Sequence, residues 1–318
     1  MQFPENLRSA AESYAESFDR RELAKAAAAI SERYREERGD GTRLVSAQVE
    51  TAAYAVTRMP ATFAAISTAL GHALPRCTAD IVTAADIGAG TGAAGWAATE
   101  LIDSLEELHC FERVPAMRTL GMKLMEEAEI PVRTVWHDAD ITAVELPQSY
   151  DLITAGYMLG ELAAPDRERV IRKLWEKTGA MLLIAEPGTK KGYSVILQAR
   201  ELLMSLGAGI AYPCPAVKQC PLSEGDWCHF TARAARSKLH KQLKGGDVPY
   251  EDEKFSAIAA VRGSVTPCTN RILRHPQVAS GVITLRMCSA DGVSDVKITK
   301  SSKLFKAARK ADCGDEIF

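Results

Sequence analysis

Asp86-Ile87-Gly88-Ala89-Gly90-Thr91-Gly92 stands between an apolar run, residues 81–87, and an alanine-rich stretch, residues 93–101. The run reads as a β-strand and the stretch as a helix, so the three glycines form the turn that joins them. Glycine lets the backbone turn tightly and approach a ligand closely, and a helix start offers free amides and the positive end of its dipole. The turn therefore predicts a nucleotide-like ligand. Gly88, Gly90 and Ala93 also satisfy the looser dinucleotide pattern G-x-G-x-x-A, so the glycines alone leave the cofactor open.

Working outward, residues 108–111, 132–136, 150–155 and 180–185 are short apolar runs with helical stretches between most of them. Alternation of this kind predicts an α/β fold with a parallel sheet wound by helices. Upstream, residues 6–38 are rich in Ala, Glu and Arg at helical spacing and end at Gly39 to Gly41. A second helical stretch, residues 45–74, should break or kink at Pro60 and close at Pro75. Downstream, residues 194–206 read as one more helix, and residues 255–261 and 282–287 as the closing antiparallel pair of the same sheet. The expected organisation is an N-terminal helical region (1–75), a Rossmann-like core (76–210), a cysteine-rich insertion with a basic stretch (211–250), and closing strands with a basic tail (251–318). No internal repeat or low-complexity segment interrupts it.

An Asp two residues before the first glycine resembles the S-adenosylmethionine-binding turn of Rossmann-like methyltransferases, and this favours that cofactor over a dinucleotide. Glu112 ends the next strand, 20 residues beyond Gly92, where such folds hold the acid for ribose hydroxyls. Asp138, with Asp140 as the alternative, follows the third strand where adenine is contacted. Asp86, Gly88, Gly90, Gly92, Glu112 and Asp138 are the expected cofactor set. Tyr157, Glu161 and Glu186, at the ends of the fourth and fifth strands, are candidates for the methyl-acceptor side. Neither an Asn-Pro-Pro-Tyr amino-methylating motif nor a Pro-Cys nucleophile occurs at those ends, so methyl transfer has no recognisable acceptor chemistry.

A second signal lies in Pro213-Cys214-Pro215 through Cys220-Pro221 to Trp227-Cys228-His229. Prolines stiffen the turns around the sulfurs, and the surrounding charges make this a poor core segment, so a bound soft metal is expected to order it. His229, Cys268, Cys288 and Cys313 compete as fourth ligand. Cys288 is best placed because it closes an apolar strand-like run. Four thiolates suit iron–sulfur or zinc equally. Cys77 and Cys110, each alone in an apolar stretch, read as packing residues.

Net charge is −2, but residues 1–186 hold 19 Lys+Arg against 29 Asp+Glu, and residues 187–318 hold 20 against 12. That asymmetry points to a polyanionic partner for the second half, with Arg233, Arg236, Lys238, Lys241 and Lys244 as the expected RNA contacts. Lys297, Lys300, Lys303, Lys306 and Arg309 recur every third residue and, on a helix, would form a basic stripe suited to phosphates. No apolar run approaches bilayer length, and Glu5, Glu12 and Glu16 make the N-terminal segment unlike a mitochondrial presequence. A soluble cytoplasmic protein is expected, with no membrane partner.

Taken in order, Asp-Ile-Gly-Ala-Gly-Thr-Gly, Tyr-Met-Leu-Gly-Glu-Leu, Glu-Pro-Gly-Thr, Pro-Cys-Pro, Cys-Pro-Leu, Trp-Cys-His-Phe and Glu-Asp-Glu-Lys-Phe-Ser resemble the ribosomal small-subunit assembly methyltransferase-like family. The resemblance spans roughly residues 50 to 290. It implies a class I methyltransferase sheet, a [4Fe-4S] cluster on Cys214, Cys220, Cys228 and Cys288, and association with small-subunit rRNA in ribosome biogenesis and translation. The family often has Cys-Pro-His in its first ligand turn, whereas Ala216 stands here. That change removes a donor beside the cluster but no thiolate. The expected function is a small-subunit assembly factor in which S-adenosylmethionine is structural or regulatory. A catalytically active rRNA methyltransferase and a zinc-stabilised small-molecule methyltransferase are the alternatives.

Overall fold

The computed structural model describes residues 2–35, 47–215 and 219–317. The glycines expected to end the first helical stretch, the start of the second, and Ala216 lie outside these residues. Four helices come first: α1 (Glu5–Ala15), α2 (Arg20–Arg35), α3 (Gln48–Thr57) and α4 (Met59–Ala73). Pro60 sits in the first turn of α4, where its missing N–H costs nothing, so the proline starts a helix after a break at Arg58. Helix α4 is apolar nearly all round and buried along most of its length, packing against the sheet rather than standing apart.

Strands β1 (Thr83–Ile87), β2 (Glu107–Glu112), β3 (Arg133–Asp138), β4 (Tyr150–Gly156) and β5 (Thr178–Pro187) alternate with α5 (Ala93–Leu101), α6 (Pro115–Glu127) and α7 (Ala164–Glu176), and α8 (Lys190–Ser205) follows β5. After them come β6 (Gly209–Tyr212), β7 (Phe230–Ala235), α9 (Lys238–Lys244) and β8 (Tyr250–Val261). The sheet runs β3-β2-β1-β4-β5-β8-β6, with β7 also paired to β8. Its first five strands are parallel, and β8 returns antiparallel beside β5. This is an open, doubly wound sheet of Rossmann-like strand order. Residues of β5 alternate between its faces: Leu183 and Ala185 pack among α1 to α6, while Leu182 and Ile184 pack under α7 and α8. A strand covered on both faces has no polar side, which is why β5 reads as an unbroken apolar run.

One expectation needs correction. The run from 282 does not close this sheet. It forms β11 (Val282–Ser289) in a second sheet with β9 (Asn270–Ile272), β10 (Gln277–Ala279) and β12 (Gly292–Thr299), followed by α10 (Phe305–Ala308). The reason is edge availability: β8 already fills the place beside β5, and its far side is taken by β6 and β7. The second sheet has its own small core of Ile272, Ile283, Leu285, Met287 and Ile298. The cations from Lys297 to Arg309 consequently lie on a strand, a turn and a single helical turn, not on one helical stripe. Among the described residues no helix is long and apolar enough to cross a membrane.

Candidate cofactor pocket and cysteine cluster

The glycine turn opens onto a pocket at the carboxyl ends of the parallel strands, lined by Gly88, Gly90, Glu112, Arg113, Asp140, Tyr157 and Glu161, and covered by Tyr54 of α3. Gly88, Gly90 and Gly92 have φ of 66°, 57° and 89°, which only glycine adopts without strain. Their roles differ. A Cβ on Gly92 would fall 2.5 Å from Met125 Cε, so that position serves helix packing. A Cβ on Gly90 would meet nothing nearer than Met117 Cε at 3.9 Å, so its missing side chain leaves open space in the pocket.

Glu112 is buried, with Oε2 accepting the Gly90 N–H at 2.8 Å and Oε1 the Val114 N–H at 2.7 Å. An ionised carboxylate has about four acceptor sites, so these two bonds orient it and leave two for ligand hydroxyls. The neighbouring Thr91 hydroxyl is buried without a partner among the described residues. Asp86 lies behind the pocket instead of lining it: Oδ2 accepts the Gly95 N–H and Oδ1 the Thr154 hydroxyl, each at 3.0 Å. It thus fastens the start of α5 to β4. Burial raises its carboxyl to about 6 against those two bonds. Of the two aspartates after the third strand, Asp140 faces the pocket. Asp138 is largely exposed and pairs with Arg118 at 2.9 Å.

On the acceptor side, Tyr157 directly follows β4 with φ 60°, a left-handed conformation costly for a side chain of its size and met mostly at functional edges. Glu161 reaches the pocket and is held at about 7 by burial, opposed by Arg113, whose guanidinium stands 3.7 Å away and 3.5 Å from Asp140. Glu186 does not line the pocket. It is fully buried, accepts the Gly160 N–H at 3.0 Å, and so holds the turn that carries Glu161. Arg113 and Tyr54 were not among the residues expected from sequence. Arg113 could have been found from its place directly after Glu112, but nothing in the chain marks Tyr54, which folding brings across from the N-terminal helices.

The four expected ligand cysteines line one cavity between α8, β8 and the second sheet, together with Tyr193, Arg200 and apolar side chains such as Ile196 and Leu273. Cys214 follows β6, Cys220 lies in the loop, Cys228 precedes β7, and Cys288 comes from β11. Arg200 Nε donates to Cys214 Sγ at 3.3 Å, and the Tyr193 hydroxyl lies 3.3 Å from Cys220 Sγ. Burial, and after it the neighbouring thiols of Cys214, Cys220, Cys288 and Cys313, holds the Cys228 thiol well above its ordinary range. The competing candidates are otherwise engaged: Cys268 Sγ donates to Pro213 O at 3.3 Å, and the thiol of Cys313 lies 3.7 Å from His229 O. Among the described residues no group of three or more His, Cys, Asp or Glu is arranged to hold a metal ion.

The basic stretch after the third cysteine is free of acids only along the chain. β8 lies beside it, and Asp252 takes Arg233 at 2.8 Å while Glu251 takes Arg236 at 2.9 Å and Lys244 at 2.8 Å. Lys238 and Lys241 carry no ion pair with a described residue.

A family model described as mitochondrial small ribosomal subunit Rsm22 matches residues 48–318. The human ribosome assembly protein METTL17, mitochondrial, is 28% identical over 288 residues, 82% of this chain and 61% of the human one. The chain therefore spans about 61% of the length of the curated relative it matches. Similar solved structures include the SAM-bound magnesium protoporphyrin IX methyltransferase of Synechocystis, at 15% identity over 73% of this chain and 90% of that one, with a TM-score of 0.40. A putative RNA methyltransferase of Pyrococcus horikoshii is 13% identical over 63% of this chain and 79% of its own, also with a TM-score of 0.40.

Proposed function

This chain belongs to the Rsm22 family, and on that premise we propose that it is an S-adenosylmethionine-binding, iron–sulfur-containing assembly factor of the small ribosomal subunit that contacts rRNA through its basic second half. The observation that carries the reading is that all four cysteines line one cavity, beside the same sheet whose glycine turn leaves a pocket open above Gly90.

Both groups fit the residues present. Four sulfurs with no oxygen donor form a soft ligand set, and Arg200 and Tyr193 supply hydrogen bonds to it. Cys214, Cys220, Cys228 and Cys288 would hold the cluster, which, when bound, would add a charged cross-link between the loop and the second sheet. S-adenosylmethionine carries an electrophilic methyl group when bound. Glu112 would take the ribose hydroxyls, Asp140 is the acid nearest to hand for the base, and Gly90 admits the ligand. Glu161, held near neutrality, would keep or release a proton on the acceptor side beside Tyr157 and Arg113. Glu186 and Asp86 support the pocket from behind. Eight free cysteines suit a reducing cytoplasm.

Anaerobic purification tests this directly. A brown protein with about four iron and four sulfide per chain, and heat on titration with S-adenosylmethionine that weakens at least ~10-fold in Gly90→Ala, is expected. A colourless protein with stoichiometric zinc would end the cluster proposal, and silent titration of the native chain would end the cofactor one. Label transferred from the methyl donor to immature subunits, and lost in Gly90→Ala, would replace the regulatory reading with a true methyltransferase.

A further inference from the structure

We infer that Lys297, Lys300, Lys303, Lys306, Arg309 and Lys310 form the surface that meets the phosphate backbone of RNA, in place of the basic stretch around α9. The inference rests on the proposed reading that the chain binds RNA, and it names the face that does so.

Folding treats the two basic runs of the sequence differently. Around α9, Asp252 of β8 pairs with Arg233, and Glu251 is shared by Arg236 and Lys244, so for these three cations reaching a phosphate would mean competing with an existing partner. The six C-terminal cations are all exposed, and none makes an ion pair or side-chain hydrogen bond with another described residue. No acid occurs between Asp295 and Asp312. Those two are themselves occupied, Asp295 with Arg286 at 3.4 Å and Asp312 with His275 at 2.6 Å. Uncompensated charge of one sign, gathered within a short stretch of chain, attracts a polyanion and releases its counterions on contact.

Strand β12 is also an edge, paired only with β11. Lysine on an edge strand discourages pairing between molecules. That explains Lys297 but not the cations on the following turn and on α10, which carry no strand edge. An anionic membrane is disfavoured as partner because the apolar residues of α10, Phe305 and Ala308, pack against the small core. Sequence-independent phosphate contact needs only what is present, namely flexible point charges on a firm support.

The test uses the whole protein and the variant Lys297→Gln/Lys300→Gln/Lys303→Gln/Lys306→Gln, with a small-subunit rRNA transcript as probe over a range of salt. The variant should lose at least ~10-fold in affinity at 0.1 M salt, and its log–log salt slope should fall by about 3 to 4, as expected for removing about four phosphate contacts. Lys238→Gln/Lys241→Gln should change affinity less than ~3-fold. Because every altered side chain is exposed, an unchanged melting curve is expected and checks the fold. If native protein binds with a steep salt slope and the fourfold variant matches it, the surface is wrong while the RNA reading survives. Should the native chain show no salt-dependent binding, both fall. If the variant loses only its adsorption to phosphatidylglycerol vesicles and keeps RNA, the surface belongs to lipid and the inference is overturned.

Discussion

A buried carboxyl resists ionisation, and Glu186 is one: burial raises it to about 7 even though the Gly160 N–H and, more weakly, the Arg167 charge favour its ionised form. The sign follows from linkage. Below about pH 4.5 the group is neutral whether the chain is folded or not. As pH rises toward 7 the unfolded chain ionises while the folded chain resists, so stability falls across that window. Glu186→Gln keeps an acceptor for Gly160 and removes the charge. Urea unfolding should find the variant more stable than the native protein by roughly 2–3 kcal/mol at pH 8, with the two converging near pH 4.5. Parallel stability curves would show that Glu186 is not buried as an acid. At this scale the chain was partly legible. The glycine turn and Glu112 could be picked out because their chemistry is local, a backbone conformation and a strand end. Choosing Asp140 over Asp138 could not, since the two are separated by one residue and only the course of the chain after β3 decides which faces the pocket.

Among the elements, the five parallel strands were readable because each is an apolar run long enough to stand out, whereas β6 has four residues and gave no periodic signal. β11 was recognised as a strand and assigned to the wrong sheet. Its alternating burial marks a strand with one covered face, which fits a small separate sheet better than a closing strand packed on both sides. Leu285 is fully buried in that sheet, among so few apolar partners that the core has little reserve. Leu285→Ala should cost about 2–5 kcal/mol and act locally: amide exchange should lose protection in β9 to β12 while β1, β4 and β5 keep theirs. Global unfolding in step with the small sheet would show instead that the two sheets form one cooperative unit.

Across the whole molecule, the cysteine cavity joins the two sheets. Three of its cysteines come from the loop between β6 and β7 and the fourth from β11, so a cluster held there would tie the small sheet to the large one. Removing metal from anaerobically prepared protein with a chelator should lower the melting temperature and open the loop around 219–229 to protease, while the β1 to β5 core stays resistant. Loss of iron with no change in either would mean that the cavity bears no structural load. The sequence by itself determined the class of the sheet, the glycine turn and the set of thiols, because each depends on residue type and short-range spacing. Only the tertiary structure decided that Cys288 of the second sheet lines the same cavity as the loop cysteines, that acids of β8 pair with Arg233, Arg236 and Lys244 near α9, and that the C-terminal cations remain exposed. Charge and pairing act between atoms close in space, and distance along the chain does not report which strand edge or which carboxylate will be the neighbour.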